Sequence, residues 1–154
     1  MTDFAHRLAG YHARRSHFRE VPVVHEEKLR VSWVDTDASG RIHYTAALRY
    51  FEVAEHALMR RLSDGAIAAG MQDFGFPRVH VEADYKGTLR YPDEFTCSAR
   101  VAHVGNRSAS YAYEIRNLAG EVCIVGKIVA VAVDAAGQPI PLPSRLRAVL
   151  EKGL

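Results

Sequence analysis

The most informative tract of this 154-residue chain is Trp33-Val34-Asp35-Thr36-Asp37-Ala38-Ser39-Gly40-Arg41-Ile42-His43-Tyr44. Its centre combines short polar side chains with a glycine, a composition that favours a tight turn. Ahead of the turn, Leu29, Val31 and Trp33 alternate with polar residues, which predicts a half-buried strand over 27–34. The tract therefore predicts a strand that ends in a loop carrying two neighbouring carboxylates.

A long helix is predicted directly after this loop. Apolar residues recur there at intervals of three and four positions, and polar residues line the opposite stripe. Further apolar residues make the buried side wider than that of an ordinary surface helix, so we expect a curved sheet to wrap most of the helix. The residues of the apolar side are Leu48, Tyr50, Phe51, Val53, Ala54, Ala57, Leu58 and Leu62.

The remainder of the chain predicts the sheet. Period-two alternation and apolar runs indicate four further strands, over 80–86, 95–102, 109–116 and 122–133. The last of these is apolar on both alternations, which is typical of a central strand covered on both sides. A short helix with Ser144 as its N-cap is expected over 144–152. One strand, one long helix and four more strands predict an α+β domain with an antiparallel sheet.

Length, composition and charge favour one globular domain. Apolar residues make up 48% of the chain and charged residues 25%, close to the average for soluble proteins. The formal net charge of +2 is too small to indicate nucleic acid binding, although residues 1–24 form a basic extension ahead of a domain over 25–154. No apolar run suits a membrane span and no signal-peptide series begins the chain, so a cytoplasmic location is expected.

Patterns that would indicate metal or cofactor chemistry do not occur. Cys97 and Cys123 fall in separate predicted strands without a CxxC partner, which indicates buried free thiols. The eight histidines include no HExxH pair and no cluster with zinc spacing. The sequence also lacks a glycine-rich phosphate loop and a GxSxG elbow. We therefore expect catalysis without a metal or cofactor.

Four segments together carry a resemblance to a known family. The first segment is the tract 33–44. It contains two aspartates separated by one variable residue, then two small residues and a glycine. Aromatic residues follow at the start of the helix, which continues with Tyr50-Phe51-Glu52. Asp93-Glu94-Phe95 and Gly105-Asn106-Arg107-Ser108 are similar to the family's third-strand start and its glycine-to-serine turn. From residue 31 to 146 the chain resembles the hotdog-fold acyl-CoA thioesterases of the 4-hydroxybenzoyl-CoA-thioesterase-like family. The resemblance implies a curved antiparallel sheet of about five strands wrapped around one long central helix.

The resemblance also implies a set of site residues. Asp37 takes the place of the catalytic carboxylate, and an ionised carboxylate can attack a thioester carbonyl or activate a water. The backbone amide of Tyr44, at the start of the helix, is the candidate oxyanion donor. Gly40 and His43 are candidate substrate contacts. Asn106-Arg107-Ser108 falls where the family's turn contacts the nucleotide of coenzyme A, often across a subunit boundary, so coenzyme A is part of the substrate.

Several alternatives stay open from sequence alone. An acyl-carrier-protein thioesterase would use the same phosphopantetheine arm, and a non-catalytic acyl-CoA-binding module would share the fold. Asp35 is expected to bind nearby backbone amides. Glu52, Glu55 and His56 on the helix are expected to have structural roles, although another hotdog branch takes its catalytic carboxylate from this helix. Since a single unit leaves a sheet edge uncovered, a homodimer or homotetramer is expected.

Overall fold

The computed structural model describes residues 22–65 and 73–154, and the predicted α+β architecture is confirmed in them. A five-stranded sheet has the order β1-β3-β4-β5-β2, and all of its neighbouring strands are antiparallel. The elements are β1 (Val24–Arg30), α1 (Ala46–Leu62), β2 (Arg78–Tyr85), β3 (Glu94–Val104), β4 (Ser108–Asn117), β5 (Val122–Val131) and α2 (Ser144–Glu151). Strands β1 and β2 form the two edges of the sheet.

The predicted long helix is α1, which packs its apolar side on the sheet. Phe51, Ala54 and Leu58 have no exposed surface. Phe51 stacks on Tyr113 of β4 with ring centroids 4.6 Å apart. A side chain at Gly126 of β5 would place its Cβ 2.3 Å from Phe51, so only glycine allows the helix to approach this strand so closely. This contact fixes the depth at which α1 lies on the sheet.

The first strand ends earlier than its alternation predicts. It spans Val24–Arg30 rather than 27–34, and Trp33 lies in a single 3₁₀ turn with 74% of its surface exposed. The physical reason is the partner strand: Arg30 pairs with Glu94, the first residue of β3, and beyond it no strand remains to pair with. Val31 still packs into the core, at 1% exposed.

Two further expectations about packing are wrong in part. Val53 is 44% exposed, so the sheet does not wrap the whole apolar side of α1. On β5, one face is buried and the other only partly covered, since no second layer lies over the outer face. Ser144 is the first helical residue of α2, and Pro143 occupies the N-cap position with φ −52° and ψ 137°.

The cysteines are free and buried, as predicted. Burial raises the pKa of the Cys97 thiol to about 12, which keeps this thiol protonated and unreactive. The predicted extension over 1–24 lies almost wholly outside the described residues, and its separation from a domain over 25–154 stays a prediction. Neither of the two helices described is long and apolar enough to cross a bilayer.

Candidate active site

Asp37 lies at the tip of a small hairpin between β1 and α1. Thr36 and Ile42 form an antiparallel bridge, and the Asp37 N–H donates to the Arg41 carbonyl at 2.9 Å. The Gly40 N–H closes a turn on the Asp37 carbonyl at 3.0 Å, and Gly40 has φ +74°. Three-residue hairpin loops favour glycine at this left-handed position. The glycine thus serves the backbone conformation that brings the Asp37 side chain to the surface.

The carboxylate of Asp37 is exposed and partly engaged. Its Oδ1 accepts hydrogen bonds from the Ser39 backbone N–H at 2.7 Å and from the Ser39 hydroxyl at 2.6 Å. These bonds to Ser39, with smaller contributions from the Arg41 backbone and the charge of His43, lower the pKa of Asp37 below its ordinary value. Among the described side chains none donates to Oδ2. The residue therefore presents an ionised carboxylate with one oxygen available to a substrate.

This lowered pKa predicts the acid limb of the pH profile. Because the ionised form persists to lower pH, activity that requires it should be lost only as the pH falls below about 3.9, the value of an ordinary aspartate. We expect Ser39→Ala to move this limb toward higher pH, since one of the two bonds that hold the carboxylate ionised is removed. The measurement is kcat/KM from pH 3 to pH 8 for both proteins, because kcat/KM reports the pKa of the free enzyme, with circular dichroism at each pH. An acid limb near pH 6 that Ser39→Ala leaves unmoved would assign the limb to another group.

The predicted oxyanion donor, the backbone N–H of Tyr44, is unoccupied. The neighbouring amides of His43 and Ala46 donate to the Asp35 and His43 carbonyls at 2.7 and 2.8 Å. Within the described residues the Tyr44 N–H donates no hydrogen bond. The Tyr44 carbonyl accepts a hydrogen bond from the Tyr85 hydroxyl at the end of β2. This contact, which sequence spacing gave no signal for, anchors the backbone that follows the candidate donor.

The side chains of His43 and Tyr44 lie together at this end of the molecule. Their ring centroids are 4.5 Å apart, and Tyr44 is 69% exposed. His43 Nδ1 is 2.8 Å from the Thr45 hydroxyl, which fixes the orientation of the imidazole. The pair offers an aromatic surface beside the hairpin, consistent in chemistry with the substrate contacts expected of His43.

The expectation that Asp35 binds nearby backbone amides holds only in part, because its contact with the Ser32 backbone is weaker than its contacts with side chains. Its side chain is buried and accepts hydrogen bonds from Arg49 and, at 2.8 Å, from the Tyr50 hydroxyl, both on the first turns of α1. Burial alone would raise the pKa of Asp35, but the bonds from Arg49 and Tyr50 lower it, and the group stays ionised. The cluster ties the hairpin to the helix. Its members are separated by fourteen and fifteen positions, a spacing that no local pattern reveals.

The turn predicted to contact the nucleotide lies at the other end of the sheet. Asn106-Arg107-Ser108 follows the last residue of β3 and joins it to β4. The hairpin of Asp37 lies at the opposite end of β3, because it follows Arg30, which pairs with the first residue of β3. The length of β3 separates the two by roughly 30 Å. Arg147 of α2 donates to the carbonyls of Gly105 and Asn106 at 2.9 and 3.0 Å and steadies the turn. One chain therefore does not bring these residues to its own Asp37.

The acidic residues of α1 have different environments. Glu52 and His56 are exposed, whereas Glu55 is 3% exposed and accepts hydrogen bonds from Arg78 of β2 and Tyr113 of β4. Burial raises the pKa of Glu55 above its ordinary value. Its surroundings are closed by protein groups, which suits the structural role expected from sequence.

In the part of the chain that is described, no group of three or more histidine, cysteine, aspartate or glutamate side chains could hold a metal ion.

Comparison with known proteins identifies the family. A family model of the thioesterase superfamily matches residues 39–124, more than half of the chain. The chain belongs to the thioesterase superfamily. The predicted family is thereby confirmed, and with it the predicted enzyme class, thioester hydrolase. A relative from Aquifex aeolicus, named as a predicted esterase, is 31% identical over 88 residues, which cover 56% of this chain and 67% of that protein.

Solved structures of thioesterases share the fold. A 1,4-dihydroxy-2-naphthoyl-CoA thioesterase from Synechocystis superposes with a TM-score of 0.73 at 17% identity, covering 83% of this chain and 96% of that one. A DHNA-CoA thioesterase from Staphylococcus aureus gives 0.72 at 22% identity, covering 77% and 80%. A gentisyl-coenzyme A thioesterase gives 0.71 at 22% identity, covering 81% and 98%. This likeness confirms the predicted hotdog arrangement of the sheet and central helix.

Proposed function

We propose that this member of the thioesterase superfamily hydrolyses an acyl-CoA thioester, with Asp37 as the catalytic carboxylate. The observation that carries the proposal is an ionised carboxylate, open at Oδ2, in the same short segment as the Tyr44 N–H, which lies two residues before α1 and donates no hydrogen bond among the described residues. Attack on the thioester carbonyl places negative charge on its oxygen, and an N–H at a helix start stabilises such charge. The reaction releases the free acid and coenzyme A.

In this proposal Asp37 attacks the thioester directly. Its carboxylate is ionised, because the hydrogen bonds from Ser39 lower its pKa, and its Oδ2 is open to the carbonyl carbon. Oδ2 would bond to the carbonyl carbon, and collapse of the tetrahedral intermediate would break the carbon–sulfur bond and expel the thiolate. Water would then hydrolyse the mixed anhydride and regenerate Asp37.

We propose an aromatic acyl group as the preferred substrate class. Two considerations support it: the rings of His43 and Tyr44 lie beside the hairpin, and the structural relatives named above act, by their names, on dihydroxynaphthoyl-CoA and gentisyl-CoA. Release of free thiol should be measured for benzoyl, hydroxylated benzoyl, short aliphatic and long-chain esters. We expect kcat/KM for the aromatic esters to exceed that for aliphatic ones by at least about tenfold, the scale of one good pocket contact.

Three other outcomes of this panel would redirect the proposal. Preference for an aliphatic ester would leave the reaction intact and overturn the substrate class. A higher kcat/KM on matched acyl-carrier-protein esters would favour the carrier-protein alternative. Binding of esters without release of thiol would make the protein an acyl-CoA-binding module and would contradict the role of Asp37.

We also propose that two copies pair through β2. This edge strand has β5 on one side only, and Val81 and Tyr85 on its helix-facing side are 45% and 46% exposed. The other edge, β1, has one exposed large apolar side chain, Val24, whereas β2 has three, since Val79 is exposed as well as Val81 and Tyr85. Antiparallel pairing of two β2 strands would set the end of the partner's sheet that carries the turn between β3 and β4 next to the end of this sheet from which the Asp37 hairpin extends.

A charged residue on β2 should therefore separate the two copies. We expect Val81→Lys to reduce the mass in solution from twice 17.1 kDa to 17.1 kDa, because the ammonium group would be buried at the centre of the interface. Light scattering after gel filtration measures this mass. Val24→Lys, at a 47% exposed position of β1, is the matched control and should remain dimeric. If the control variant also dissociates, the interface does not lie at β2 alone. If the wild type is a monomer, the proposed interface does not exist.

A further inference from the structure

Two arginines share one face of a small ribbon with Asp37. The hairpin bridge between Thr36 and Ile42 sets Asp37 opposite Arg41, and Arg41 forms a second antiparallel bridge with Arg90. Directly opposed residues of antiparallel strands point to the same side. The side chains of Asp37, Arg41 and Arg90 therefore form a row, each about 5 Å from the next at its base. The neighbouring residues along these strands point to the opposite side, toward the core. Leu89, next to Arg90, is 1% exposed.

This row carries two guanidinium groups and one carboxylate, so its positive charges exceed its negative charge. Neither Arg41 nor Arg90 forms an ion pair with a carboxylate in the described residues. The Asp93 carboxylate accepts a hydrogen bond from the Arg90 backbone N–H at 2.8 Å and is therefore turned toward the backbone. Like charges placed directly opposite each other across two strands are unfavourable. Such a pair suits an anion that both guanidinium groups can contact.

An exposed aromatic pair adjoins the arginines. Trp33 is 74% exposed and Tyr91, next to Arg90 in the chain, is 49% exposed. Their ring centroids lie 5.5 Å apart in an edge-to-face arrangement. An edge-on partner leaves a face of the indole ring available, and such a face stacks well on a nucleobase. Exposed aromatic rings, one of them on the residue that follows Arg90, together with two arginines that form no salt bridge among the described residues, suit a ligand that carries both a base and phosphates.

We propose that Arg41 and Arg90, together with the rings of Trp33 and Tyr91, bind the nucleotide end of coenzyme A, with the arginines on its phosphates and the indole on its adenine. This inference rests on the proposed acyl-CoA substrate and adds a nucleotide subsite within the same chain as Asp37. Arg90 is two strand spacings, roughly 10 Å, from Asp37, a separation that the flexible pantetheine arm can bridge. The site is distinct from the turn at Arg107, which would reach the substrate only from a partner chain.

The fluorescence of Trp33 provides a direct test, because this residue is the single tryptophan of the chain. Free coenzyme A should quench it saturably in the wild-type protein. In the double variant Arg41→Gln/Arg90→Gln the Kd should rise by at least about tenfold, the effect of losing one charge-assisted hydrogen bond or more. Arg60→Gln, which removes an exposed charge from α1, is the matched control and should leave the Kd unchanged.

Several outcomes would overturn the inference. The Kd of the double variant could equal that of the wild type. Calorimetry could detect binding of coenzyme A while Trp33 fluorescence does not change. The wild type could also fail to bind coenzyme A. A loss of binding in Arg107→Gln alone, with the double variant unaffected, would assign the nucleotide to the other turn. Circular dichroism verifies that the variants fold.

A substrate without a nucleotide separates this inference from the proposed function. An N-acetylcysteamine thioester carries neither phosphate nor adenine, so the double variant should lose at least about tenfold more kcat/KM on the acyl-CoA than on the N-acetylcysteamine ester of the same acyl group. If the wild type hydrolyses no thioester at all, the proposed function fails, and the quenching experiment still decides whether the nucleotide binds beside Trp33.

Discussion

Asp37→Asn should lower kcat for acyl-CoA hydrolysis by at least about 100-fold, the usual scale for removing a principal acid–base or nucleophilic group. The amide cannot carry the negative charge that either attacks the carbonyl or activates a water. Its oxygen can still accept the two hydrogen bonds from Ser39, so the hairpin should keep its conformation. Thiol release in a colorimetric assay gives kcat, and urea denaturation gives the free energy of unfolding.

A matched control for this variant is Asp64→Asn. Asp64 is also exposed, lies beyond the C-terminal end of α1 and has φ +52°, a conformation that asparagine adopts readily. We expect it to keep wild-type kcat and stability. An Asp37→Asn enzyme that retains more than about a tenth of wild-type kcat would be incompatible with the proposed mechanism, because residual catalysis of that size does not need the carboxylate.

The sequence predicts those features of the fold that depend on neighbours along the chain. The helix over 46–62 follows from periodicity, and the hairpin at Gly40 follows from turn chemistry, because both are decided within a few residues. Trp33 shows the limit of such reasoning. Its alternation with Leu29 and Val31 continues a strand pattern, but the strand ends where its partner β3 begins, and no local signal reports the position of a partner.

The candidate site shows the same division. The position of Asp37 in an exposed loop before the helix was predictable from the tract itself. The anchoring of Asp35 by Arg49 and Tyr50 was not, since it requires the hairpin to fold back on α1. The distance between Arg107 and Asp37 also depends on topology, because β3 carries the chain from one end of the sheet to the other. Pairwise geometry of this kind becomes visible only when strand order is known.

Breaking the buried ion pair of Glu55 should have the largest effect on stability. Arg78→Met would leave a carboxylate that is 3% exposed with Tyr113 as its remaining hydrogen-bond donor. Removal of one partner of a buried pair costs about 3–5 kcal/mol, and since the Arg78 side chain is itself 35% exposed we expect about 2–4 kcal/mol at pH 8. Guanidinium denaturation at a fixed protein concentration measures this loss.

The loss should shrink as the pH falls. Burial raises the pKa of Glu55 in the folded protein, and without the charge of Arg78 that pKa rises further. A group whose pKa is higher in the folded state favours folding when protonated, so stability lost at pH 8 should be partly regained as the pH falls through the folded pKa of Glu55 toward pH 5. The double variant Glu55→Gln/Arg78→Met has no such carboxylate and should show no regain beyond that of the wild type. A loss below about 1 kcal/mol at both pH values, or an equal regain in the double variant, would contradict a buried charge at Glu55.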